Sequence, residues 1–226
     1  MEYVELGRAR SPRGELVLRE RRGGGLPSVL ELRANGVFVM DSAETTSEVA
    51  LATAALEVAA DPRHVLVGGL GLGFTLRAVL ADARVHRCTV VEIEPALVGW
   101  MREGLIPHGR DLLADPRVDL RIGDVAGIMA ATAASYDVVL LDVDNGPGHL
   151  VHAGNARLYR PRSVAGIRRT LRPGGVLAVW SEAQAPALEA SLRAVFAEVE
   201  ARSHRVDLQG REEAYWIYLA RDPVGR

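Results

Sequence analysis

Hydrophobic and polar positions follow two different rhythms along the 226-residue chain. Up to about Glu44 the apolar runs are short: ELVLRE from Glu15 to Glu20, SVLEL from Ser28 to Leu32, and GVFVM from Gly36 to Met40. Brief or alternating apolar runs bounded by Gly, Pro and Asn are the pattern of strands joined by turns. The RGGGLP stretch from Arg22 to Pro27 is expected to be a hairpin connection, because no helix follows it as a phosphate loop would require. Asn35-Gly36 is expected to form a tight hairpin turn.

From about Glu48 onward, strands alternate with helices. Good helix formers run from Thr46 to Ala60, then HVLV (His64–Val67) leads into a glycine run and a helix to Leu80. Strands are expected at Arg87–Glu92, Val118–Ile122, Tyr136–Leu141 and Val176–Trp180, with a helix at Pro95–Glu103 and further helical stretches between. Strands that are continuously apolar belong to a parallel sheet covered on both faces. After a helix around Ala187–Phe196, two strands follow with no helix between them, Glu198–Arg205 and Glu213–Arg221, so the last is expected to return antiparallel. The organisation expected is a small β-hairpin module over residues 1–45, then a doubly wound α/β domain over 46–226.

Composition narrows the function. Hydrophobic residues make up 48% and charged residues 25%, which suits one well-cored chain. A net charge of −2 and the lack of a basic cluster interleaved with aromatics argue against nucleic acid as a partner. No apolar run approaches a membrane span, and the first ten residues lack the apolar core of a leader, so a cytoplasmic protein is expected. Cys88 is the single cysteine, inside the apolar run CTVV, and is expected to be buried and inert.

Candidate chemistry collects at strand ends. Gly69, Gly71 and Gly73 alternate where the chain turns from strand to helix, permitting the turn and close approach by a ligand. The pattern GxGxG is shorter than the dinucleotide fingerprint and weak alone. Glu92 and Glu94 end the next strand. An acid there can accept both hydroxyl protons of a ribose, a role assigned to Glu92, while Glu94 with Pro95 behind it suits a helix N-terminus. Asp124 follows the next strand, where it flanks the base of a bound nucleoside or caps a helix. Asp142 ends the strand after that, facing the same crevice.

These segments together resemble the spermidine synthase family of aminopropyltransferases, which has the fold of class I S-adenosylmethionine-dependent methyltransferases. The resemblance runs through ANGVFVMDSAE (Ala34–Glu44), VLVGGLGLGFTLR (Val65–Arg77), VEIE (Val91–Glu94), IGD ending at Asp124, YDVVLLD ending at Asp142, LYRP (Leu158–Pro161) and LRPGGV (Leu171–Val176). It implies a seven-stranded, methyltransferase-type, Rossmann-like sheet behind the β-module, and a homodimer or homotetramer. It also implies Asp142 as the base that takes a proton from an attacking amine. Four departures stand out. Leu72 replaces the family's aspartate, which helps hold the donor's aminopropyl ammonium. DVDN (Asp142–Asn145) replaces D-x-x-D. A glutamine near Val39 and a tyrosine near Ser47 are missing. Asp144, Asn145 and His149 are expected to line the acceptor site. His152, Asn155 and Tyr159 lie close by in sequence, and no metal is expected.

The function expected is transfer of an aminopropyl group from decarboxylated S-adenosylmethionine to a small amine, releasing methylthioadenosine. Leu72 and Asn145 favour an alternative, methyl transfer from S-adenosylmethionine to a small molecule. A non-catalytic nucleoside-binding module is the third reading.

Overall fold

The computed structural model describes residues 2–25, 27–143, 157–208 and 211–222. Asp144, Asn145, His149, His152 and Asn155 lie outside the described residues.

The chain opens with a four-stranded antiparallel sheet in the order β1-β2-β3-β4 (β1, Glu2–Ser11; β2, Gly14–Arg22; β3, Val29–Ala34; β4, Val37–Asp41). Three of these strands match the sequence pattern, and β1 does not. Its alternation of Val4, Leu6 and Ala9 is broken by a bulge between Glu5 and Gly7, and its other positions are mostly polar, as befits an edge strand. Asn35 (φ 53°) and Gly36 (φ 78°) both adopt the left-handed conformation that a two-residue β3–β4 turn demands.

The remaining elements form a seven-stranded sheet in the order β10-β11-β9-β8-β5-β6-β7. In chain order they are α1 (Thr46–Val58), β5 (His64–Gly68), α2 (Phe74–Ala81), β6 (Arg87–Glu92), α3 (Pro95–Glu103), α4 (Gly109–Ala114), β7 (Val118–Ile122), α5 (Val125–Ala130) and β8 (Tyr136–Leu141). There follow α6 (Pro161–Thr170), β9 (Leu171–Ser181), α7 (Pro186–Arg193), β10 (Glu198–Leu208) and β11 (Arg211–Arg221). Strands β9, β8, β5, β6 and β7 run parallel, and β11 inserts antiparallel between β9 and β10.

The period of two along each strand sorts side chains into two cores. Val65 and Val67 pack with α1 to α4 and with Leu16, Leu18 and Leu32 of the first sheet, whereas Leu66 packs with α5 to α7 on the other face. Cys88 is fully buried, and burial pushes its thiol up to about 12. From β5 the sheet grows through β6 and β7 on one side and through β8 and β9 on the other. Such a switch in strand order opens a crevice at the carboxyl ends of the central strands, where ligands of open α/β sheets bind.

Candidate active site

The turn from β5 to α2 floors this crevice. Gly69 (φ 94°), Gly71 (φ 50°) and Gly73 (φ 90°) all lie in the left-handed region. Gly69 is also sterically required, since a Cβ there would sit 2.0 Å from the Asp142 carbonyl oxygen. A Cβ on Gly71 would meet Met40 Sδ at 2.7 Å. Neighbouring strand ends complete the wall: the Gly69 N–H donates to Val91 O at 2.9 Å, and the Asp142 N–H to Gly68 O at 2.8 Å.

Glu92 is buried and held by backbone. Its Oε2 accepts from Leu70 N at 2.9 Å and its Oε1 from Glu94 N at 2.7 Å. Burial raises its pKa above the ordinary carboxylate value, against the pull of those N–H donors. Glu94 does occupy the N-cap position of α3 with Pro95 behind it, but its carboxylate does not cap the helix. Instead Oε1 accepts from the Ser11 hydroxyl (3.1 Å) and Arg13 Nε (2.6 Å), while Arg13 Nη2 reaches Ile93 O at 2.8 Å. The guanidinium outcompetes the partial charge of a helix end, and the β1–β2 turn is pinned over the crevice as a result. Asp124 caps α5, its Oδ1 accepting from Ala126 N at 2.9 Å, and its Oδ2 pairs with Arg157.

Asp142 leaves the end of β8 with Oδ2 accepting from the Thr75 hydroxyl at 2.5 Å. Desolvation pushes its pKa up to about 6, with Thr75 opposing the shift. A second carboxylate, not singled out from the sequence, stands next to it. Glu48 in α1 is 7% exposed, accepts from the Ser47 hydroxyl at 2.7 Å, and is pushed up to about 7 by burial and then by the Asp142 charge. One signal for it exists in the sequence: Glu48 falls three, four and seven residues before Leu51, Ala52 and Ala55, on the buried stripe of α1.

Two cavities meet at Asp142. The first, about 800 Å³ including its open mouth, lies between Leu16, Ala34 and Val39 of the first sheet and Gly69, Glu92 and Asp124 of the strand ends. The second, about 570 Å³, is lined by Asp41, Glu44, Glu48, Trp180 and Tyr215. Val39, Gly71 and Asp142 border both. Among the described residues, the acidic cavity has no arginine in its wall.

The structure thus brings Gly69, Gly71, Glu92, Asp124 and Asp142 to the first cavity, while Gly73 sits behind it against Leu112 and Met101. Leu72 turns away into the core, fully buried, with its N–H on Met40 Sδ at 3.2 Å and its carbonyl accepting from His108 Nε2 at 2.6 Å. Tyr159 is buried, its hydroxyl donating to Val143 O at 3.2 Å.

The profile of the spermine/spermidine synthase domain matches residues 44–202. Polyamine aminopropyltransferase 2 of Pseudomonas aeruginosa is 34% identical over 173 residues, covering 72% of this chain and 47% of that protein. A polyamine aminopropyltransferase of Escherichia coli is 33% identical over 116 residues, 50% of this chain and 38% of that one. The chain therefore spans half or less of the length of these relatives. Its fold is that of the spermidine synthase from Thermotoga maritima (TM-score 0.80, 16% identity, 98% of this chain and 74% of that one). A spermidine synthase in complex with the transition-state analogue AdoDATO is similar to the same degree (TM-score 0.81, 17% identity, 98% and 74% covered). With its profile matched across most of its length, the chain belongs to the spermine/spermidine synthase domain family.

Proposed function

We propose that the protein transfers an aminopropyl group from decarboxylated S-adenosylmethionine to a small amine. The observation that carries this reading is the meeting of a largely apolar cavity and an acidic cavity at one carboxylate, Asp142. The first cavity suits the donor. Its lining is mostly apolar with a few convergent carboxylates, its glycine floor lets a ligand approach backbone, and Glu92 offers the remaining lone pairs of two fixed oxygens to a ribose. Asp124 and Val125 would flank the base. The acidic cavity suits a cation, since a carboxylate-lined wall attracts ammonium groups.

Within this reading Asp142 accepts a proton from the acceptor's ammonium, freeing a lone pair on nitrogen. That nitrogen attacks the propyl carbon bound to sulfur, the C–S bond breaks with its electrons going to sulfur, and methylthioadenosine leaves. The protein contributes orientation and the base. Leu72 faces the core, so the donor's amine end is left to the carboxylates around Asp142.

One observation favours methyl transfer as a second reading: the glycine turn carries no acid at Leu72. Incubation with a diamine and either decarboxylated or intact S-adenosylmethionine separates the two. Methylthioadenosine formed from the decarboxylated donor supports aminopropyl transfer, and demethylated product from the intact donor replaces it with methyl transfer. We also propose, from the family resemblance, a cytoplasmic homodimer or homotetramer, with residues 1–45 and 46–226 as its two units. Light scattering after size-exclusion chromatography tests the assembly.

A further inference from the structure

We infer that Glu48 is the second carboxylate of the acceptor site, standing in for the acid that Asn145 replaces, and that with Asp142 it grips the attacking ammonium of a cationic amine. This rests on the proposed aminopropyl transfer and specifies its acceptor.

The argument begins with placement. Glu48 projects from the first turn of α1 into the same cavity as Asp142, is more than nine-tenths buried, and has one oxygen on the Ser47 hydroxyl. A lone acid on the apolar stripe of a helix is costly to bury, and among the described residues it has no ion pair. Its surroundings make the cost larger. Asp142 faces it from β8, Glu44 from the segment before α1, and Tyr215 from β11, while Asp41 on β4 lines the same cavity with Arg21 3.6 Å from its carboxylate. Glu182 and Glu213 lie beyond Tyr215. Arg21 is turned to Asp41, His204 reaches Thr46 at the start of α1, and Arg19, Arg33 and Arg211 line the neighbouring cavity with Glu182, Glu213 and Tyr215 rather than the one that holds Glu48.

Two like charges at one cavity, Glu48 buried and Asp142 half-buried, do not both ionise readily without a cation between them. Near neutral pH the empty pair holds a proton, and an arriving ammonium supplies the missing positive charge and expels it. The location is apt for the chemistry. An ammonium between Glu48 and Asp142 sits at the junction with the donor cavity, where its nitrogen must be to reach the transferred carbon. A neutral nucleophile would gain nothing from this pair, so the acceptor class is a protonated amine.

The test compares wild type with Glu48→Gln and Glu48→Asp, using 1,4-diaminobutane as the acceptor probe and methylthioadenosine as the donor-site probe. Calorimetry at pH 6.5 in buffers of different ionisation heat counts the protons released per diamine bound. The expectation is about one proton for wild type and close to none for Glu48→Gln. KM for the diamine should rise on the order of 10–100-fold in Glu48→Gln, with partial recovery in Glu48→Asp. Thermal stabilisation by methylthioadenosine should be equal in all three, showing an intact donor site. Equal diamine affinity and proton count in wild type and Glu48→Gln would overturn the Glu48 assignment. So would a wild type that responds to methylthioadenosine but binds no diamine. Absence of any methylthioadenosine response would instead overturn the donor reading beneath it.

Discussion

The Thr75 hydroxyl donates to Asp142 Oδ2 at 2.5 Å from the first turn of α2, joining the glycine turn to the end of β8. Thr75 is 2% exposed, so the bond is shielded from water and favours the ionised carboxylate against the desolvation that raises its pKa. Removing the donor in Thr75→Val leaves the shape nearly unchanged and the anion less stable. The acidic limb of the kcat/KM profile should therefore move to higher pH, by about 0.5–1 unit for a bond worth ~0.7–1.4 kcal/mol. An unmoved limb would show that Asp142 is not the group titrating in catalysis.

Much of this arrangement is legible before any coordinates. Strands β6 and β8 are buried runs ended by an acid, β7 is an alternating edge strand followed by a glycine, and their spans Arg87–Glu92, Val118–Ile122 and Tyr136–Leu141 agree with the structure residue for residue. The switch in strand order then places Glu92, Asp124 and Asp142 on one crevice. Two things were hidden. Strand β1 is polar and bulged, which removes the alternation that would reveal it. Glu48 lies in a run of helix formers where a glutamate is ordinary, and its meaning comes from what α1 packs beneath. Leu72 is legible as a lost acid but not as a core residue, because the tight turn rotates it away from the crevice.

The carboxylate pair has a consequence for stability. Asp142 is pushed up to about 6 and Glu48 to about 7, each above its ordinary value near 4. A raised acid favours the folded state fully below the unfolded pKa, and that contribution is lost as pH rises through the folded pKa. The ligand-free protein should therefore lose stability between about pH 4 and pH 7 from these groups. Asp142→Asn should abolish activity yet raise Tm at pH 8, by about 2–4 °C per kcal/mol recovered in a chain of this size, with little change at pH 4. Melting curves at the two pH values decide it, and an equal change at both would reject the pair as its origin.

Gly69 tests the floor of the crevice. A Cβ there meets backbone of Asp142 at 2.0 Å, and its φ of 94° is strained for any residue with a side chain. Neither conflict can be relieved by rotating a side chain. Gly69→Ala should lose about 2–5 kcal/mol of stability and displace Asp142. Gly36→Ala is the control: it also has positive φ (78°) but nothing within 4 Å of the added Cβ, so strain alone should cost it about 1–2 kcal/mol. Similar denaturation midpoints for the two variants would mean that the β5–α2 turn relaxes around the methyl group.

The Arg13–Glu94 pair tests whether the first sheet is part of the donor site. Leu16, Ala34 and Val39 form one wall of the first cavity, and Glu94, which lines the other, is tied to Arg13 at the β1–β2 turn. The pair is partly exposed, with 30% and 12% of the side chains accessible, so screening keeps its direct contribution to stability small. Its larger effect is positional. Without Arg13, both Glu94 and the Ile93 carbonyl lose a charged donor, and the turn is free to lift from the crevice. Arg13→Ala should weaken methylthioadenosine binding by roughly 10-fold, about 1.4 kcal/mol, while leaving kcat at saturating donor within about 2-fold. Glu94→Gln should do less, because its amide still accepts from Ser11. The double variant should be no worse than Arg13→Ala alone, because the two residues act through one contact. Additive losses in that cycle would mean that Glu94 acts on the donor independently of Arg13, and an Arg13→Ala variant that binds methylthioadenosine as wild type does would make the first sheet a bystander to binding.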